Sequence, residues 1–192
     1  PLSIWQGISK LPPGSFITLP LELDIGQIPK PIYFWRAVDV INLGESHLTD
    51  DETAVKGLEL VLGDAISGQM VADVPVGAFL SGGVDSSAVV ALMQRQTTMP
   101  VKTFSIGFSE GGYDEAKYAQ AVATHLGTDH SELYVSGSDA FKIIPKLPDM
   151  YDEPFADSSQ IPTHLIASLA RADVTVSLTG DGADELFGGY NR

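Results

Sequence analysis

The sequence contains no cysteine, which removes disulfides, thiolate nucleophiles and thiolate metal ligands together. Positive charge is scarce: 11 Lys and Arg stand against 25 Asp and Glu, a formal net charge of −14. A chain this acidic offers no broad surface for a nucleic-acid backbone or an anionic membrane. No apolar run approaches the ~20 residues of a spanning helix, and no secretory leader is visible, so a cytoplasmic location is the expectation. The four histidines, His47, His125, His130 and His164, have no metal-ligand spacing among themselves. His125 sits near a predicted helix end, where the dipole is reason enough for it. Ser, His and Asp are all present, yet no G-x-S-x-G elbow supports hydrolase chemistry. Trp5, Tyr33, Phe34 and Trp35 read as packing residues, not as a cofactor box. One further absence matters most. The glycine-rich stretch "LSGGVDSS" (80–87) has no lysine.

With 192 residues and 44% apolar content, the chain can bury a sizeable core as one domain with a smaller piece attached. Residues 1–36 consist of short apolar runs and turns around Pro12-Pro13-Gly14, residues 37–50 read as a linker, and residues 51–192 as the main domain. Thr49 and Glu52 have capping-box spacing before an apolar-periodic helix through Ile66, although three glycines weaken that helix. Thereafter strands and helices alternate. "VGAFL" (76–80), "VKTFSIGF" (101–108), "HSELYV" (130–135) and "VTVSLT" (174–179) read as strands. Helices are predicted from about Asp85 to Arg95, between Asp114 and Gly127, and over roughly 138–150 and 158–172. The turn at Gly111-Gly112 precedes the second of these. The alternation predicts an α/β fold: a parallel sheet sandwiched by helices, Rossmann-like.

In such sheets ligands bind beyond the carboxyl ends of the strands. Two predicted strands end there in glycine-rich polar loops, "SGGVDS" and "TGDGADE" (179–185). In the first, Gly82 and Gly83 let backbone N–H groups approach an anion closely, and the following helix adds its N-terminal amides. Ser81 and Ser86 add hydroxyls. The plainer alternative is a strand-to-helix turn with a capping serine. This is not a Walker A loop, since G-x-x-x-x-G-K-[ST] is absent. A polyphosphate held here needs positive charge from elsewhere, and Mg2+ on carboxylates is the obvious source. Asp85 lies in the first loop; Asp181, Asp184 and Glu185 lie in the second, for which a solvated acidic turn is the plainer alternative.

"SGGVDSS" resembles the PP-loop of N-type ATP pyrophosphatases, which cleave ATP between the α and β phosphates. Together with "TGDGADELFGGY" and "YDEPFADSSQIPTHLIASLAR", the chain resembles the glutamine-hydrolysing asparagine synthetase family. "GISKLPPGSFITL" is similar to the tail of that family's N-terminal glutaminase domain, and "YFWR" to the start of its linker. The resemblance implies ATP over the sheet edge, its pyrophosphate in the Ser81–Ser86 loop. It implies adenosine beside Leu80, Ile106, Thr179 and Gly180, and Mg2+ on Asp85 and Asp184. The reaction implied is attack of the aspartate side-chain carboxylate on the α phosphate to give β-aspartyl-AMP, then displacement of AMP by ammonia drawn from glutamine. Asp181 stands where many relatives carry glutamate, a candidate for proton handling or ammonium binding. Glu153, Ser158 and Ser159 face the substrate or cap a helix. A homodimer is admissible.

The departures count equally. The family's glutaminase nucleophile is an N-terminal cysteine, absent here, and its catalytic lysine lies beyond the GGY motif. Proline at position 1 and an end directly after that motif make a piece of a longer protein the expectation. The competing readings are another PP-loop ligase acting on a different carboxylate, including one that closes a β-lactam, and a non-catalytic nucleotide-binding module. A tRNA-thiolating relative fits worse, lacking both basic surface and thiol.

Overall fold

The structure, a computed structural model, describes residues 3–44, 50–108, 115–154 and 156–190. The chain forms two compact units, Pro1–Ala54 and Val55–Arg192.

In the first unit β1 (Ser15–Phe16) pairs antiparallel with β2 (Ile32–Tyr33). Gly14 has φ +64°, and a Cβ there would collide with the Trp35 carbonyl oxygen. The Pro-Pro-Gly turn therefore requires its glycine, and the Gly14 carbonyl accepts from the Phe34 and Trp35 amides at 2.9 and 3.2 Å. Residues Ala37–Gly44, within the expected linker, form helix α1. Arg36 bonds Asp39 at 2.6 Å at its start and lies 5.3 Å from the Tyr33 ring centroid.

Helix α2 (Asp51–Met70) is capped by Asp50, whose carboxylate accepts from the Thr53 amide at 2.9 Å and its hydroxyl at 2.8 Å. Thr49, the expected cap, lies outside the described residues, as do His47, Gly111, Gly112 and Asp114. Of the apolar stripe on α2, Ile66 is buried, while Val55 and Val61 are exposed.

The second unit is built on four parallel strands, β3 (Val76–Phe79), β4 (Lys102–Phe108), β5 (Asp129–Val135) and β6 (Val176–Leu178), in the order β5-β4-β3-β6. Helix α3 (Val84–Arg95) follows β3, and α4 (Ala116–Leu126) links β4 to β5. The expected helix over 138–150 is broken into α5 (Gly137–Ile143), a 3-10 turn and α6 (Leu147–Met150). Pro145 and Pro148 account for the breaks, since neither can donate to the helical ladder. Helix α7 (Gln160–Ala170) precedes β6, and α8 (Ala183–Phe187) follows it.

Two apolar clusters clamp the sheet. On one face Ala78 and Leu80 meet Val90 and Met93 of α3 and the small residues Ala119 and Ala123 of α4. On the other, Phe104 meets Ala170 and Val174, with Phe79 and Ile166 beside them. Each fully buried large side chain contributes about 1.5–3 kcal/mol. The last strand departs from expectation. Its sequence is apolar on both faces, yet Val176 is 40% exposed, because among the described residues β6 pairs only with β3. No helix among the described residues is long and apolar enough to cross a membrane.

Gly77 sits where β3 is squeezed between layers. A Cβ there would lie 2.8 Å from the Lys102 carbonyl oxygen and 2.9 Å from the Phe104 ring. Gly→Ala in a strand ordinarily helps by restricting the unfolded chain, so the sign is diagnostic. Gly77→Ala is expected to destabilise by about 1–3 kcal/mol through overpacking, read as a lower urea midpoint at unchanged slope. A midpoint that rises would refute the close approach.

Candidate functional site

The first glycine loop is held in shape by its own hydroxyls. Ser86, buried at the first turn of α3, accepts from the Ser81 amide at 3.2 Å, and its Oγ lies 2.9 Å from Ser81 Oγ. The Gly83 amide donates to Ser81 Oγ at 3.2 Å. These bonds close the loop without using the amides of Val84 and Asp85, which have no partner inside the helix. The helix end therefore presents N–H groups and the positive end of its dipole at the loop.

The two glycines expected to approach a phosphate also shape the loop's surroundings. Gly82 has φ +80°, and a Cβ on it would meet the Ala119 amide nitrogen at 2.5 Å and Tyr118 at 2.6 Å. It is the place where the loop packs on the start of α4. Gly83 is the residue at which α3 begins, in extended conformation. Neither lines the cleft described next.

That cleft, about 840 Å³, opens at the carboxyl ends of the strands. Of the other residues expected at the site, these line it: Leu80, Ser81, Asp85 and Ser86 from the first loop, Ile106 from β4, and Thr179, Gly180, Asp181 and Asp184 from the second loop. The loops touch through Gly180. A Cβ there would lie 2.8 Å from the Ser86 amide nitrogen and 3.0 Å from the Asp85 carbonyl carbon, so any side chain would wedge them apart. In the second loop Thr179 Oγ1 accepts from the Asp181 amide at 3.2 Å. Gly182 turns the chain at φ +95° into α8. Asp184 is folded over the glycine pair beyond: its carbonyl accepts from Gly188 and Gly189, and its carboxylate stands where a Gly189 Cβ would be.

Asp85 and Asp184 thus reach one cleft from separate strand ends. No group of three or more His, Asp or Glu that could hold a metal occurs among the described residues. The cleft wall carries the carboxylates of Asp85, Glu115, Asp157, Asp181, Asp184 and Glu185, no three of them gathered as a ligand set; such a wall fits a hard cation that draws its other oxygens from a bound polyphosphate, the usual arrangement for Mg2+. It does not fit a self-contained metal cage.

Tyr190 and Asp157 line the cleft although no motif singled them out. Glu185 accepts from Tyr190 Oη at 2.7 Å, a bond that lowers the carboxyl from its ordinary value. Both line the cleft. Asp157 also lines it, and its carboxyl is lowered by the Ser159 amide, which donates to it at 2.8 Å. Ser159 stands at the N-terminal cap position of α7, where its side chain makes no capping hydrogen bond, and it also lines the cleft. Glu153 and Ser158 are not among the lining residues. The signal for Tyr190 and Glu185 was their spacing of five across a Gly-Gly pair, which returns the chain on itself.

A family model described as asparagine synthase matches residues 57–192. The chain is 41% identical over 191 residues to putative asparagine synthetase (glutamine-hydrolyzing) 2 of Methanocaldococcus jannaschii, covering 99% of this chain and 35% of that protein. It is 35% identical to asparagine synthetase (glutamine-hydrolyzing) 1 of Bacillus subtilis, covering 100% and 29%. It is 32% identical to asparagine synthetase B (glutamine-hydrolyzing) of Escherichia coli, covering 73% and 28%. The chain spans about a third of the length of these relatives. Among solved structures, the NH3-dependent NAD synthetase of Campylobacter jejuni shares the fold, with a TM-score of 0.50 at 16% identity over 71% of this chain and 60% of that one.

Two measurements test the loop geometry. Ser86→Ala strips the Ser81 amide of its acceptor and is expected to cost about 1 kcal/mol, with faster hydrogen exchange at Ser81; unchanged exchange would dismiss the bond. Tyr190→Phe removes the donor that lowers Glu185, so the Glu185 midpoint should rise in a carbon-13 NMR titration. A midpoint that stays put would show that the hydroxyl does not hold that carboxylate.

Proposed function

The chain belongs to the asparagine synthase family, and from that premise we propose that it is the nucleotide-binding part of an ATP-dependent amide ligase. The proposed substrates are ATP, aspartate and ammonia, the last supplied from glutamine by other parts of a longer protein. Residues 1–36 are then the tail of a glutaminase domain, 37–50 the connection, and 51–192 the N-terminal part of the synthetase domain.

The observation that carries this reading is the contact of Gly180 with the backbone of Asp85 and Ser86. It sets two loops, each with a carboxylate, around one cleft, and no lysine takes the place of the missing phosphate-loop cation. The loop amides at the start of α3 would bind the pyrophosphate, and Ile106 and Leu80 would flank the adenosine. Asp85 and Asp184 would hold Mg2+ together with phosphate oxygens. Bound there, the metal would neutralise charge on the departing pyrophosphate. The preorganised amides serve the same transition state without reorganising. The aspartate β-carboxylate would attack the α phosphate to give β-aspartyl-AMP, which ammonia opens to the amide. Asp181, which lines the cleft, would accept a proton from the nitrogen once ammonia has added to the acyl carbon. A site that releases pyrophosphate suits a ligase better than a kinase.

Asp85→Asn is expected to weaken Mg2+-dependent ATP binding ~10-fold, about 1.4 kcal/mol, in calorimetry with and without metal, while metal-free binding is unaffected. Equal affinities for both proteins in Mg2+ would remove Asp85 from the metal site. The reaction class is tested by exchange of labelled pyrophosphate into ATP. Exchange that requires aspartate supports the proposal. Exchange on a different carboxylate transfers the chain to a sister ligase, and nucleotide binding without any exchange reduces it to a binding module.

A further inference from the structure

The helix-facing side of β4 and β5 carries a second polar cavity, of about 400 Å³, that shares no lining residue with the cleft. It lies against α4, lined by Gln120 and Thr124 from that helix, Thr128 from the turn after it, and His130 and Glu132 from β5. Beneath them lie Thr103 and Ser105 of β4, at 0% and 2% exposure. The register explains the grouping: Thr103 pairs with His130 and Ser105 with Glu132 across two parallel strands.

The imidazole is satisfied by neutral hydroxyls. Thr103 Oγ1 lies 2.8 Å from His130 Nδ1 and Ser105 Oγ 3.2 Å from Nε2, and Thr103 is joined in turn to Thr128 at 2.9 Å. Glu132 fares differently. Its Oε1 is buried and has no hydrogen-bond donor; His130 Nε2 stands 3.4 Å away. Burial lowers the imidazole from its ordinary value, against the opposing pull of Glu132, so at neutral pH the ring supplies no counter-charge. A buried carboxylate oxygen without a donor or a cation is costly. Thr124 spends its hydroxyl proton on the Gln120 carbonyl at 2.8 Å, leaving lone pairs for the cavity. The lining therefore combines one negative charge with acceptor oxygens and includes no Lys or Arg, which disfavours an anion. With no third acidic or histidine ligand among the described residues, a transition-metal site is disfavoured too.

We infer that this cavity binds a ligand bearing an ammonium group, with Glu132 as its counter-ion and the oxygens of Thr124, Thr128 and Gln120 as acceptors for its N–H bonds. Free ammonium and the terminal group of a small primary amine share this chemistry. The volume is far larger than the roughly 30 Å³ of a water-sized ion, which leaves space for an attached carbon chain.

The test titrates the 192-residue chain with ammonium, ethylammonium, tetramethylammonium and potassium chlorides at constant ionic strength, following the His130 ring resonances by NMR. Saturable shifts with ammonium or ethylammonium, absent with the other two salts, are expected, and the tighter of the two names the source. Glu132→Gln should weaken this binding at least ~10-fold, equivalent to about 1.4 kcal/mol, while leaving ATP affinity unchanged. Should that variant fail to fold, Thr124→Val at an exposed position of α4 carries the test and should also weaken binding. The proposal is overturned by no saturable shift, by equal shifts with potassium or tetramethylammonium, or by a folded Glu132→Gln chain that binds as well as the parent.

Discussion

The site depends on one close contact, the Gly180 backbone against the first turn of α3. Parallel pairing of β3 with β6 brings the two strands' carboxyl ends side by side, and both chains must then leave the sheet in the same few ångströms. With 2.8 Å between a Gly180 Cβ and the Ser86 amide nitrogen, only glycine lets the loops meet. Gly82 repeats the solution on the opposite flank, where its loop meets α4. At Gly82 glycine answers a packing constraint, and Gly82 is absent from the cleft wall although the loop it shapes borders it.

That contact resolves the chemical puzzle of a phosphate-type loop without lysine in a chain of net charge −14. A single loop of amides and a helix dipole offers only partial positive charge, which is weak support for a polyphosphate against an acidic background. Joining the second loop adds Asp184 to Asp85 at one cleft, and on the proposed function such carboxylates would turn the acidic background from an obstacle into a means of recruiting a cation. On the proposed function, the anion-binding and cation-binding halves would come from different strands, and neither would serve without the other.

The order of strands and helices was readable because parallel strands buried on both faces are continuous apolar runs bounded by glycine, as in "VGAFL" and "VKTFSIGF". The cleft residues were readable for a related reason: the rule that ligands bind at strand carboxyl ends turns a one-dimensional list of loops into a place. Elsewhere the sequence misleads in physical ways. The segment 138–150 has helical composition, but two prolines three residues apart divide it. "VTVSLT" looks buried on both sides, yet its pairing leaves Val176 exposed. His130 and Glu132 alternate on one face of β5, and their significance arises only from the β4 residues that the register sets beside them. No pattern within "HSELYV" itself could announce Thr103 and Ser105.

The same sheet therefore carries two opposed solutions to the problem of charge. At the carboxyl edge, acidic side chains stand at an open cleft, where solvent stabilises them until a ligand arrives, and the loops are held by neutral serine hydroxyls and glycine contacts. Beside α4, the buried hydroxyls of Thr103 and Ser105 satisfy the histidine, while Oε1 of the neighbouring Glu132 is left without a hydrogen-bond donor. The small side chains of α4 connect these situations. Ala119 and Ala123 let the helix lie close on Ala78 and Leu80, and that close approach both seats Gly82 at the helix start and forms one wall of the cavity beside His130 and Glu132. A larger residue at either alanine would lift α4 from the sheet, disturbing the first glycine loop at one end and widening the polar cavity at the other. Core packing and both sites are consequences of one helix being able to come near.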